Sequence, residues 1–348
     1  MNSKVFYKNF NMPDHAVTFL NSQDDIILSG TLSIPRSPKK PAVVILVAGV
    51  GPYDRDCTQM NGHKMFLTLA NYFTKQGIAV LRYDKRGTGK SAGSFENASL
   101  FDFTQDVFAA VEFLKQRSDI NTNAIGLVGH SEGGLISFIV ASQSKNISFV
   151  VSLAGGVVTH IKDLLLQAQL LFKAGGASDE FVAFDRTIRK QILEIVTTMP
   201  AQEAHEKLLP LVKSFVESMT EGQKGVADTL LPFALTEQNY EQWVVIFNTI
   251  WRPILLSNPV DIISKITIPF LAVNGELDFI IPCAPALSVI AQGAEKAGNQ
   301  DATIKALPNR NHCFQKCNTG ALSEYIENSE GFDTSTLQLI TDWIVAKV

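Results

Sequence analysis

Ala124-Ile-Gly-Leu-Val-Gly-His-Ser131-Glu-Gly-Gly134-Leu-Ile-Ser-Phe138 runs an apolar stretch into a glycine-flanked serine and out into a second apolar segment. The order reads as a buried strand, a sharp turn and the start of a helix. Glycines on both sides of Ser131 matter because a strained turn, closely packed between strand and helix, leaves no space for neighbouring side chains. A helix N-terminus behind the serine also favours negative charge developing there. Gly-x-Ser-x-Gly arises by chance often enough that the rest of the chain has to supply its context.

Working outward, residues 41–48 (PAVVILVA) form a nearly continuous apolar run, the pattern of a central parallel strand buried on both faces. Comparable runs recur at 78–83, 149–153 and 268–273, with 124–128 belonging to the quoted stretch. Between them Phe66, Leu69, Ala70 and Phe73 share one helical face, as do Phe103, Val107, Ala110, Val111 and Leu114. Strand and helix alternate with short connections, which predicts right-handed crossovers and a mainly parallel sheet covered by helices on both faces. Reactive groups then belong at the carboxyl ends of the strands. Residues 15–21 and 26–34 are β-rich runs around the polar Ser22-Gln23-Asp24-Asp25, an antiparallel hairpin leading into the sheet.

After 149–153 the alternation stops, and 157–265 reads as helix after helix punctuated by Gly175-Gly176, Pro200 and Pro210. It resumes with the strand 268–273, a helix at 284–297, the strand 302–307 and a closing helix at 334–346. The expected organisation is therefore an α/β core of residues 1–156 and 266–348 with an inserted helical cap at 157–265.

The 348 residues are 46% hydrophobic and 18% charged with a net charge of -4, values of an ordinary globular protein. Basic residues are scattered, so nucleic acid and anionic lipid are not expected partners. Met1 to Asp14 holds no apolar run of the kind a secretory signal needs, and no membrane span is evident; the expected location is cytoplasmic, with the oligomeric state left open. Cys57, Cys283, Cys313 and Cys317 do not form a disulfide framework, and no second pair or His cluster completes a metal site around Cys313 and Cys317. They read as free thiols.

A serine hydroxyl becomes a useful nucleophile only when a base takes its proton and a carboxylate orients that base. With a strand-turn-helix nucleophile the chain order is serine, acid, histidine. Asp278 follows the apolar strand in Leu271-Ala-Val-Asn-Gly-Glu-Leu-Asp-Phe-Ile-Ile-Pro282, and His312 follows the next strand in Leu307-Pro-Asn-Arg-Asn-His-Cys-Phe314. One helix and one strand fit between them, returning both loops to one sheet edge. A lone Asp after a strand is often only a turn or cap residue, and a lone His is often structural. Glu276 is a rival acid. His15, His63, His160 and His205 lie in the hairpin, an early crossover and the cap, and His130 should point away from Ser131 along the turn.

Acyl transfer also needs donors for a tetrahedral oxyanion. The amides of Glu132, after the serine, and Val50, in Ala48-Gly-Val-Gly-Pro-Tyr-Asp-Arg-Asp56, are the candidates, although that loop also reads as a plain Gly-Pro turn. Asp54, Arg55 and Asp56 are expected to form a local ion-pair network.

Together with Arg82-Tyr-Asp-Lys-Arg-Gly-Thr-Gly-Lys-Ser91, these motifs resemble the α/β-hydrolase superfamily over nearly the whole chain outside the cap. The loop around Gly49 and the N-terminal hairpin are similar to bacterial carboxylesterases of the serine aminopeptidase-like branch, with Ala48 standing where many relatives carry His. The resemblance implies an α/β-hydrolase fold and a serine hydrolase acting on small to medium acyl esters, through Ser131, His312 and Asp278, without metal or organic cofactor. Serine at the turn speaks against dehalogenase or epoxide hydrolase chemistry, which in this superfamily uses a carboxylate nucleophile. An aminopeptidase or amidase with the same triad is the alternative, and Asp179, Glu180, Asp185, Glu203 and Glu206 could then meet a substrate amine. A binding protein without activity is a third reading; such a protein would usually have lost a triad member.

Overall fold

Five consecutive apolar residues, Val43–Val47, are buried because both faces of their strand are covered. Val43, Ile45 and Val47 enter one core while Val44 and Leu46 enter another on the opposite face. The computed structural model describes residues 14–59, 61–157, 160–328 and 330–348, and among these residues the strand lies in an eight-stranded sheet. Most of the N-terminal segment read for a signal, residues 1–13 of the expected core, and residues 158 and 159 of the expected cap lie outside the described residues.

Asp14–Asn21 (β1) and Ile26–Ser33 (β2) form the antiparallel hairpin, followed in the chain by Val43–Val47 (β3) and Ala79–Tyr83 (β4). Ile125–His130 (β5), Phe149–Leu153 (β6), Phe270–Gly275 (β7) and Ala302–Leu307 (β8) complete the sheet. The spatial order is β1-β2-β4-β3-β5-β6-β7-β8; β2 meets β4 antiparallel, and every pairing from β4 to β8 is parallel. This is the mainly parallel sheet expected from the alternation of strand and helix, and the α/β-hydrolase arrangement that the resemblance implies.

Met65–Lys75 (α1) covers one face; Leu100–Lys115 (α2) and Glu132–Gln143 (α3) cover the other. A capping box starts α2: Ser99 Oγ accepts from Asp102 N while the Asp102 carboxylate accepts from Ser99 N, satisfying two amides that the helix itself cannot. Between β6 and β7 come Ile161–Ala174 (α4), Asp179–Thr198 (α5), Ala201–Glu217 (α6), Glu221–Thr229 (α7) and Tyr240–Ile246 (α8). A π-helical turn, Phe247–Trp251, leads into Arg252–Leu256 (α9) and Pro259–Ile263 (α10). Cys283–Ala297 (α11), Leu322–Glu327 (α12) and Thr334–Val345 (α13) follow β7 and β8, with α12 absent from the sequence expectations. No helix of the described residues is long and apolar enough to cross a membrane.

The helices between β6 and β7 bury their aromatic residues largely among themselves. Phe172 meets Phe181 edge-on at 5.8 Å, Phe184 stacks on Phe215 at 4.6 Å, and Trp243 packs on Phe247 at 5.3 Å. These aromatics are the interior that a helical insertion needs for its own stability.

Of the described glycines, Gly133 near the start of α3 leaves the least room for a side chain, lying against the end of β3. A Cβ on Gly133 would stand 2.0 Å from Val47 O, a backbone atom that cannot swing aside. Gly133→Ala should therefore destabilise the protein by about 3 kcal/mol, the upper end for overpacking, seen as a lowered urea midpoint. A wild-type midpoint would contradict this account of the layer contact.

Candidate active site

β3 and β5 pair in parallel with Val47 opposite Gly129, so the segments leaving the two strands emerge side by side. Here the strand order reverses, since α1 carries the chain outward to β4 and α2 brings it back past β3 to β5. A crevice forms at such a switch point. Ser131 lies there, one residue beyond β5, with φ 56° and ψ -125°. A side chain rarely accepts a positive φ, and the surrounding backbone holds it in place. Ser131 N donates to Leu153 O at 2.9 Å, and Ser131 O accepts from Gly156 N at 2.8 Å. The serine is half-buried between buried His130 and Glu132.

Gly49, beyond β3, passes directly against this turn. A Cβ there would lie 2.8 Å from Ser131 Cβ and 3.4 Å from its Oγ, so only glycine allows the approach. Val50 is 38% exposed. Among the described residues neither Val50 N nor Glu132 N donates to a protein acceptor, which leaves both expected oxyanion donors available.

The loops after β7 and β8 bring Asp278 and His312 together. Asp278 Oδ2 accepts from His312 Nδ1 at 2.8 Å, and both residues are buried. Asp278 Oδ1 accepts from Ile280 N and Ile281 N at 2.9 and 2.8 Å, so the carboxylate cannot rotate freely. With Nδ1 donating to a carboxylate, the tautomer leaves Nε2 with its lone pair. The rival Glu276 is exposed and has no bond to His312. Leu277 N to Arg310 O and Glu276 N to Leu307 O tie the acid loop to the histidine loop. Among the described residues no hydrogen bond joins Ser131 Oγ to the His312 ring. The structure thus pairs Asp278 with His312 directly, while Ser131 is connected to them through its neighbour.

That neighbour is His130. Its Nε2 donates to His312 O at 2.9 Å, and the two rings lie 4.7 Å apart. Burial, and then the closeness of His312, pull His130 down to about 3, so it stays a neutral donor. The expectation that His130 leans away from the serine overlooked this contact with the histidine loop, for which adjacency to Ser131 was the available signal. On the other side His312 N donates to the Tyr325 hydroxyl at 3.0 Å. Nothing in the sequence pattern marks Tyr325, which is carried by the short α12.

Asp54, Arg55 and Asp56 bond outward rather than to one another. Arg55 grips Asp84 through Nε at 3.0 Å and a terminal nitrogen at 2.6 Å, Asp56 pairs with Arg82 and Lys64, and Asp54 accepts from Thr58. In place of the expected local network there is a strap from the loop after β3 to Arg82 in β4 and Asp84 just beyond it. The four cysteines are free thiols, and burial, followed by nearby Asp278, pushes Cys313 up to about 12.

Comparison with known proteins bears on the fold that carries these residues. Residues 60–178 match the family described as serine aminopeptidase, S33. Esterase EstD of Thermotoga maritima is 28% identical over 200 residues, covering 56% of this chain and 48% of EstD; the chain thus spans about half the length of that curated relative. The α/β hydrolase GrgF from Penicillium sp. sh18 superposes with a TM-score of 0.57 at 18% identity, over 97% of this chain and 99% of that one. Est1E from Butyrivibrio proteoclasticus, solved with ferulic acid bound, gives a TM-score of 0.53 at 19% identity, over 94% and 96%. Together with the eight-stranded sheet, these matches give the chain the α/β-hydrolase fold.

Proposed function

We propose that this protein is a carboxylesterase whose nucleophile is Ser131, with His312 as general base and Asp278 as its orienting acid. The observation that carries the reading is the buried 2.8 Å bond from His312 Nδ1 to Asp278, on loops linked to the residue before Ser131. Ser131 Oγ attacks the ester carbonyl carbon as its proton passes to His312 Nε2, and the carbonyl π pair moves onto oxygen. Val50 N-H and Glu132 N-H hold the resulting oxyanion. Collapse expels the alcohol, which takes the proton from His312; water then enters by the same base and releases the acid. Asp278 stabilises the imidazolium in both halves.

Residues 157–265 serve in this reading as a cap over the strand ends, with 1–156 and 266–348 as core. Its support is that α4 bonds to the acid loop through Gln167 Nε2 and Ile280 O. The substrate class is a small-molecule ester of small to medium acyl length.

Amide cleavage at a free amino terminus would need unneutralised carboxylates near the crevice. Asp185 is buried against Arg189, Asp179 pairs with Lys173, and Glu180, Glu203 and Glu206 face solvent, so the candidates favour the ester reading.

Ser131→Ala should lower kcat on p-nitrophenyl esters by at least about 10⁴-fold, and Asp278→Asn by about 10³–10⁴-fold, by the tautomer argument. A fluorophosphonate probe should label wild type and not Ser131→Ala; hydrolysis that survives the serine substitution would refute the assignment. On a matched panel, kcat/KM for p-nitrophenyl esters should exceed that for aminoacyl p-nitroanilides by more than about tenfold, or about 1.4 kcal/mol in barrier. The opposite order would move the function to amide hydrolysis.

A further inference from the structure

Lys85 is a buried lysine that the chemistry above leaves unused. It follows β4 in Asp84-Lys85-Arg86 and is 4% exposed. Its ammonium donates to Gly49 O at 2.8 Å and to Glu132 Oε2 at 3.3 Å, and lies over the Phe103 ring, 3.9 Å from the centroid. Its own amide donates to Tyr53 O at 3.1 Å, which anchors it to the loop after β3. Burial pulls its pKa down, and the Glu132 carboxylate opposes that shift.

We propose that Lys85 is a positioning residue for the oxyanion site, one ammonium fixing both residues whose amides form it. The Gly49–Val50 peptide is not among the cis bonds, and in a trans peptide the C=O and N-H point in opposite directions. Drawing Gly49 O inward to Lys85 therefore turns Val50 N-H outward, at the place where Gly49 presses against Ser131. The second contact holds the side chain of Glu132, whose own N-H opens α3 behind the serine. Without the ammonium, the Gly49–Val50 peptide loses the buried bond that sets its rotation. A flipped peptide would present a carbonyl oxygen to the developing negative charge.

This inference rests on the esterase reading, and its test separates the two. Lys85→Met keeps most of the side-chain volume and should lower kcat on p-nitrophenyl butyrate about 10–100-fold with KM changed less than about threefold, since one oxyanion donor is worth about 10²–10³. A trifluoromethyl ketone bonds Ser131 Oγ to its carbonyl carbon, moves the π pair to oxygen and passes the hydroxyl proton to His312. It thereby reports on the oxyanion site without turnover, and its affinity should weaken by the same factor as kcat. Lys85→Met alone strands the buried Glu132 charge, so Lys85→Met/Glu132→Gln is made as well; losing both charges together is close to neutral for folding. If Lys85 only neutralises Glu132, the double variant regains wild-type kcat and inhibitor affinity, which overturns the proposal. If Lys85 positions the amides, the double variant melts like wild type yet stays slow and binds the ketone weakly. A wild-type protein that neither hydrolyses esters nor takes up a fluorophosphonate would remove the esterase reading and this inference with it, whereas fast hydrolysis by both Lys85 variants removes the inference alone.

Discussion

Everything at the active edge depends on the approach of α3 and the loop after β3 to one strained residue. Ser131 holds a positive φ that costs a non-glycine residue roughly 1–3 kcal/mol, and it keeps that shape because the surroundings allow no other. Gly133 lies against Val47 O, Gly49 lies against Ser131 Cβ, and Leu153 at the end of β6 and Gly156 beyond it bond to the serine's amide and carbonyl. Ser131 stands just ahead of α3, whose first amide, as at any helix N-terminus, has no acceptor within the helix. That vacancy is what a developing anion can use.

Around this turn the protein buries a row of charges. Arg82, Asp84, Lys85 and Arg86 are all under 7% exposed, in a chain segment of five residues. Each is answered by another element: Arg82 by Asp56, Asp84 by Arg55, Lys85 by Glu132 and Arg86 by Asp106. Buried ion pairs repay their desolvation poorly, so such a row is weak evidence for stability. Its geometric effect is clearer. Three of the four partners lie in the loop after β3 or at the start of α3, so the charges at the end of β4 and just beyond it fix the loops that carry the proposed chemistry. The fourth, Asp106, also takes a bond from Asn21 at 2.8 Å and ties α2 to the opening hairpin.

The sheet was legible because parallel strands buried on both faces are mostly apolar, and β3 to β7 carry that pattern with only a few polar residues such as Arg82, Ser152 and Asn274. The pairing of Asp278 with His312 was legible because both follow such strands. What escaped was decided by long-range partners. The ion pairs of Asp54, Arg55 and Asp56 depend on which loop lies opposite, and sequence proximity favoured the wrong neighbours. His130 and Tyr325 act on the backbone of His312 from 182 and 13 residues away, through bonds that no periodicity encodes. Aromatic residues at 172–251 were ambiguous for another reason: an insertion's own core and a ligand pocket demand the same side chains.

The histidine loop shows how the site can keep one geometry while its central group changes charge. In the proposed cycle His312 gains and loses a proton at Nε2, and each change pulls on whatever holds the ring. Nδ1 is held by Asp278, whose other oxygen is occupied by two amides, so the ring cannot swing to follow the charge. The backbone of His312 is held separately, its carbonyl by His130 and its amide by Tyr325. Burial keeps His130 neutral across ordinary pH, so the ring 4.7 Å from His312 does not acquire a competing positive charge when the imidazolium forms. A protonated neighbour would repel that imidazolium; a neutral one only donates to the carbonyl. Placing a second histidine beside the base is therefore compatible with catalysis because it is buried deeply enough to stay uncharged.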